Sequence, residues 1–180
     1  MKRLIQIAAF SILLSFGSAL LFSTRIPAQA APAGAKSAHQ LDEQTRRAMI
    51  ETLEDERRSE AQYQAVIDKF GEVRPFINIV KAERRHQAML LELFAKYNVE
   101  IPGNEIPEQT SPATVREACE AAVRAEKDNI AIYDKFLKDV KEPDIHQVFT
   151  MLRDASKLNH LPAFERCAAG RGQGRGHGRK

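Results

Sequence analysis

Between Leu41 and Ala168 the apolar residues recur every three or four positions, the period of an amphipathic helix. Punctuation cuts this pattern into four segments. The first runs from Leu41 to Phe70 and stops at Gly71. The second runs from Pro75, a suitable first-turn proline, to about Tyr97. A proline-rich stretch, "NVEIPGNEIPEQTSP", follows as a loop. The third helix is predicted from near Ser111-Pro112 to about Val140, where "KEPD" breaks it, and the fourth from about Asp144 to Cys167. No alternating strand pattern occurs in this region. The predicted fold is all-α, an antiparallel four-helix bundle.

Each helix carries a polar residue on its inward stripe. At 100° per residue, helix 1 turns Met49, Leu53, Tyr63, Ile67 and Phe70 inward, with Glu56 on the same line. Helix 2 turns Phe76, Ile79, Val80, Leu90, Phe94 and Tyr97 inward, with Glu83 central and His86 beside it. Helix 3 aligns Glu126 with Val115, Cys119, Ala122, Ile130, Tyr133 and Leu137. Helix 4 aligns His160 with Phe149, Leu152, Ala163, Phe164 and Cys167. A charge taken out of water costs several kcal/mol unless it is paired or coordinated. A divalent cation would supply that compensation, and carboxylate with imidazole suits iron, manganese or zinc.

The pattern repeats internally. Glu56 is followed seven residues later by Tyr63, and Glu126 seven later by Tyr133. Helix 2 contains Glu83-x-x-His86, and helix 4 contains Lys157-x-x-His160. The chain reads as two copies of one helical hairpin facing a shared site, the geometry of carboxylate-bridged di-metal bundles.

On the stretches "DERRSEAQY", "NIVKAERRHQAML", "EKDNIAIYD" and "LNHLPAF", the chain resembles the ferritin-like superfamily. More narrowly, it looks like bacterial ferritin-like domain proteins without an assigned activity. The resemblance implies a site for two irons, with one ion or manganese or zinc as alternatives. It implies Glu56, Glu83, His86, Glu126 and His160 as ligands. Members oxidise Fe(II), reduce peroxide or activate oxygen. No cysteine-rich electron-donor module is present, so turnover would require an external reductant.

This chain departs from the superfamily pattern at Lys157, where a glutamate is expected, and Arg153 is predicted to point to the bundle axis as well. Three outcomes are open. Glu60 fills the gap and two metals bind; one metal binds, held mainly by Glu56, Glu83 and His86; or Lys157 and Arg153 neutralise the glutamates and none binds. Tyr63, Tyr133 and Asn129 are candidates for supporting hydrogen bonds, with Lys157 beside them. Pro162 removes a helix-interior hydrogen bond and should bend helix 4 just past His160.

The two cysteines offer an internal check. Cys119 lies seven residues before Glu126, and Cys167 seven after His160. If helices 3 and 4 are antiparallel neighbours, both cysteines sit ~10 Å from the metal level in the same direction. A Cys119–Cys167 disulfide is predicted.

The ends change the functional picture. Residues 1–30 have a basic start, an apolar run from Leu4 to Phe22, and Ala28-Gln29-Ala30, the layout of a secretory signal peptide. The alternative is an uncleaved membrane anchor. Residues 31–40 read as a linker and 169–180 as a disordered Gly/Arg-rich tail. Without the signal, Lys+Arg falls from 27 to 24, equal to the 24 acids, and four of those positives lie in the tail. The folded body, 41–168, is therefore mildly acidic, which argues against a nucleic-acid-binding body. A hydrolase is disfavoured too, because the cysteines lie far from the histidines and no nucleophile elbow is present. The expectation is a secreted or periplasmic ferritin-like protein whose partners are metal ions, compatible with a homo-oligomer. The alternative is a non-catalytic envelope metal-binding or scaffold protein.

Overall fold

The computed structural model describes residues 41–171. The predicted signal peptide and linker, and nearly all of the predicted tail, lie outside them. Among the described residues every regular element is helical, and no helix is long and apolar enough to cross a membrane.

Helix α1 spans Glu43–Phe70. Asp42 starts it by accepting a 2.7 Å hydrogen bond from the Thr45 N–H, satisfying one of the helix's orphan donors. Gly71 ends it at φ 80°, a conformation that a side chain would strain. Helix α2 spans Phe76–Tyr97 and ends at Asn98, which takes the left-handed conformation at φ 51°. Helix α3 spans Val115–Phe136. Its Thr114–Glu117 capping box places the start a few residues after the predicted Ser111-Pro112, and it stops short of Val140.

The fourth rod has three parts: α4 from Pro143 to Ala155, a π-helical turn from Ser156 to His160, and α5 from Leu161 to Ala168. Pro162 accounts for the π turn. It has no N–H to donate, and its ring would meet the carbonyl of Leu158 four residues back in a regular α-helix. The wider turn relieves that clash, and the Leu161 N–H bonds to the Ser156 carbonyl five residues back. The buried line passes through Phe149, Leu152, Ser156, His160, Phe164 and Cys167.

Two apolar clusters form the core. One joins Met49, Leu53, Leu90, Phe94, Tyr133 and Phe149; the other joins Tyr63, Phe76, Val80, Ala122 and Phe164. Burying each large side chain contributes about 1.5–3 kcal/mol. Glu56, Glu83, His86, Glu126 and His160, each at most 6% exposed, belong to neither cluster. In sequence each lies between residues of the two, so the polar layer falls within the bundle and not at its rim.

The long α2–α3 connection crosses α1 and is strapped to it. Arg57 Nη1 donates to the carbonyls of Pro102 and Gly103, and Lys69 Nζ to those of Ser111 and Pro112. Cys119 and Cys167 form the predicted disulfide, with Cα atoms 5.9 Å apart, locking α3 to α5.

Candidate metal centre

Four rods each deliver a side chain to the polar layer. Helix α1 supplies Glu56, α2 supplies Glu83 and His86, α3 supplies Glu126, and the π turn supplies His160. Glu83 is the hub. His86 Nδ1 lies 3.0 Å from Glu83 Oε2 and 3.0 Å from Glu56 Oε2. His160 Nδ1 lies 3.3 Å from Glu83 Oε1 and 3.5 Å from Glu126 Oε1. The two imidazoles stack, with ring centroids 5.5 Å apart. Two triads result, Glu56–Glu83–His86 and Glu83–Glu126–His160, each with ligand atoms within 4.8 Å of one another.

The tyrosines cross over. Tyr63, seven residues after Glu56, donates a 2.7 Å hydrogen bond to Glu126 Oε1. Tyr133, seven residues after Glu126, donates a 2.7 Å bond to Glu56 Oε1. Burial and the adjacent carboxylates push both phenols well above their ordinary pKa, so they remain donors. On Glu56 the phenol takes Oε1 and leaves Oε2 to His86, whereas on Glu126 the phenol and His160 approach the same oxygen, Oε1.

Charge within the layer follows from burial. Burial raises Glu56 to about 7, opposed by His86 and reinforced by the Glu83 carboxylate. Burial pushes Glu83 up as well, but the imidazoles of His160 and His86 outweigh it and hold that carboxyl below its usual range. Burial alone would lower both histidines. The carboxylates instead raise His86 to about 9 and His160 to about 10. Without a cation the imidazoliums of His86 and His160 supply the positive charge that faces the carboxylates.

One atom is left over. His160 Nδ1 is close enough to both carboxylates for charge attraction, but it is not aligned for a hydrogen bond and has no partner. A buried donor without a partner is costly. A cation coordinated by a deprotonated imidazole would remove that cost, so the residues present fit a divalent metal of the carboxylate–imidazole class.

Three sequence expectations need correction. Lys157 is exposed, and Arg153 pairs with Asp154 at 2.9 Å and with Asp134 at 3.5 Å. Neither neutralises the glutamates: Ser156 is the buried residue there, and Lys157 beside it faces solvent. Glu60 does not fill the gap. Its carboxylate accepts from Arg84 at 2.6 Å and Gln87 at 2.7 Å, along the α1–α2 surface. Asn129 makes its hydrogen bonds outside the five-residue layer: it donates to Asp55 at 2.7 Å and accepts from Ser156 at 2.8 Å. At the break predicted for Pro162 the structure has a π turn just before the proline, and the rod continues as α5.

Asp55 and Ser156 were missed. Burial raises the Asp55 carboxyl, opposed by its bond from Asn129. Its place beside Glu56 was a usable signal. Ser156, four residues after Leu152 and four before His160, also lay within reach of helical spacing.

No protein-family model and no curated protein matches the sequence. Two solved structures share the helical fold. A hypothetical protein from Methanococcus jannaschii, MJ0754, aligns with a TM-score of 0.66 at 22% identity, over 82% of this chain and 86% of that one. A conserved hypothetical protein from Mycobacterium tuberculosis, rv2844, aligns with a TM-score of 0.57 at 17% identity, over 70% of this chain and 91% of that one. At these identities the likeness concerns the fold alone.

Proposed function

We propose that this chain is an exported, ferritin-like metal-binding protein, an antiparallel bundle whose two triads each hold a metal ion and share Glu83. The observation that carries the reading is the pair of buried triads meeting at one carboxylate. The orphaned His160 Nδ1 adds to it. Iron is the metal proposed first, with manganese or zinc as alternatives. Bound iron would supply oxidation of Fe(II) by oxygen, or reduction of peroxide with an external reductant returning the electrons.

The chain's own residues prepare that chemistry. Glu56 and Glu126 are aimed by Tyr133 and Tyr63. His86 and His160 present Nδ1 to the same carboxylates and must release their protons when a cation enters. The core clusters keep bulk water away. Export rests on residues 1–30, as read from the sequence.

A second reading is a non-catalytic metal binder or scaffold of the envelope. Ser156 favours it, since the inward position where the superfamily pattern would supply a carboxylate holds a hydroxyl bonded to Asn129. Metal content after purification, followed by an anaerobic Fe(II) titration opened to air, separates the two. The leading reading expects two ions per chain and oxidation faster than in buffer. Binding without faster oxidation identifies the second. Failure to take up iron, manganese or zinc removes the metal reading altogether.

A further inference from the structure

A cavity of about 390 Å³ lies between α1 and α3, beneath the end of the crossing loop. Its floor is Tyr63, Val66, Phe76, Ala118 and Ala122. Helix α3 keeps the space open by presenting alanines, at 121 and 125 as well, where larger side chains would fill it. The rim carries the Gln62 amide, the Thr110 hydroxyl, and three charges, Arg124, Asp128 and Glu108. The loop is tied to α1 at both ends by Arg57 and Lys69, so the cavity is already formed before anything enters it.

We propose that this cleft binds a small uncharged molecule of about one ring's size, bearing a hydroxyl or amide. The volume lies at the small end of the range for ligand pockets, with the expected mixture of an apolar floor and few polar groups. One cation against two anions on the rim gives no net attraction for an anion. A cation would have to enter beside Arg124 and leave water for an apolar floor. A neutral ring covers the floor while its hydroxyl or amide reaches Gln62 or Thr110. The floor includes Tyr63, whose hydroxyl holds Glu126, so an occupant would sit one side chain from the buried layer.

The test uses the full chain, metal-free, with methyl NMR as the readout. Phenol and cyclohexanol are titrated as neutral probes, with benzoate and benzylammonium as charged ones. The neutral probes are expected to shift the methyl signals of Val66, Ala118 and Ala122 saturably at millimolar concentration, the affinity expected of so few atoms. The charged probes should bind at least about tenfold more weakly. Ala121→Leu fills the cleft from a half-buried position and should abolish the shifts; Ala125→Leu does the same from the next turn if the first variant fails to fold. Absence of neutral-probe binding, equal binding of charged probes, or unchanged binding by a folded variant overturns the proposal. The readout involves no metal, so its failure and that of the metal reading are separate results.

Discussion

Replacing Glu83 by glutamine keeps the shape of the hub and removes its charge. At about 4 Å and an effective dielectric near 20, that charge attracts a divalent ion by ~8 kcal/mol. Water recovers much of this, but even half of it corresponds to about a thousandfold in affinity. Both triads contain Glu83, so both should fail together, whereas Glu126→Gln leaves Glu56, Glu83 and His86 intact and should halve the uptake. Removing one member of a buried pair costs ~3–5 kcal/mol. Here His86 keeps Glu56 and His160 keeps Glu126. The metal-free variant should therefore lose only ~2–3 kcal/mol and stay helical. Elemental analysis after an anaerobic Fe(II) or Zn(II) titration gives the stoichiometry, and circular dichroism with urea denaturation gives the stability. Wild-type metal content in folded Glu83→Gln would refute the hub.

Other consequences are checked more simply. Reducing Cys119–Cys167, which closes a span of 48 residues, should lower stability by ~4 kcal/mol, read as a drop in the urea midpoint with reductant. Lys157→Glu should leave metal content unchanged and stability within ~0.5 kcal/mol, because the exposed side chain stays in solvent; a gain of metal would place the residue inward after all. Asp144 accepts 2.6 Å hydrogen bonds from Lys96 and Tyr97, which outweigh burial and lower its pKa below the ordinary 3.8. Its contribution is therefore present above that value and lost as pH falls through the folded pKa. The side chain is 31% exposed, so Asp144→Asn should cost only ~0.5–1 kcal/mol at neutral pH and nothing near pH 2, measured by denaturation at both.

Much of this arrangement was readable from the chain. Helical spacing placed Glu56, Glu83, His86, Glu126 and His160 inward, and the structure buries all of them in one layer. The equal offsets of Cys119 and Cys167 from that layer anticipated the disulfide. What failed was the placing of Arg153 and Lys157: with the π turn at 156–160, Leu152 and Ser156 beside them are buried, while Arg153 is only partly covered and Lys157 is exposed. Glu60 failed for another reason. It lies one turn from Glu56, but Arg84 and Gln87 on α2 hold it, and a single helix's periodicity says nothing of its neighbour's side chains.

The exchange of tyrosines has a consequence for how the chain can be divided. A hairpin cut out at the crossing loop would carry its own glutamate and histidine but lose the phenol that aims that glutamate, because the phenol belongs to the other half. Neither half is a small version of the whole.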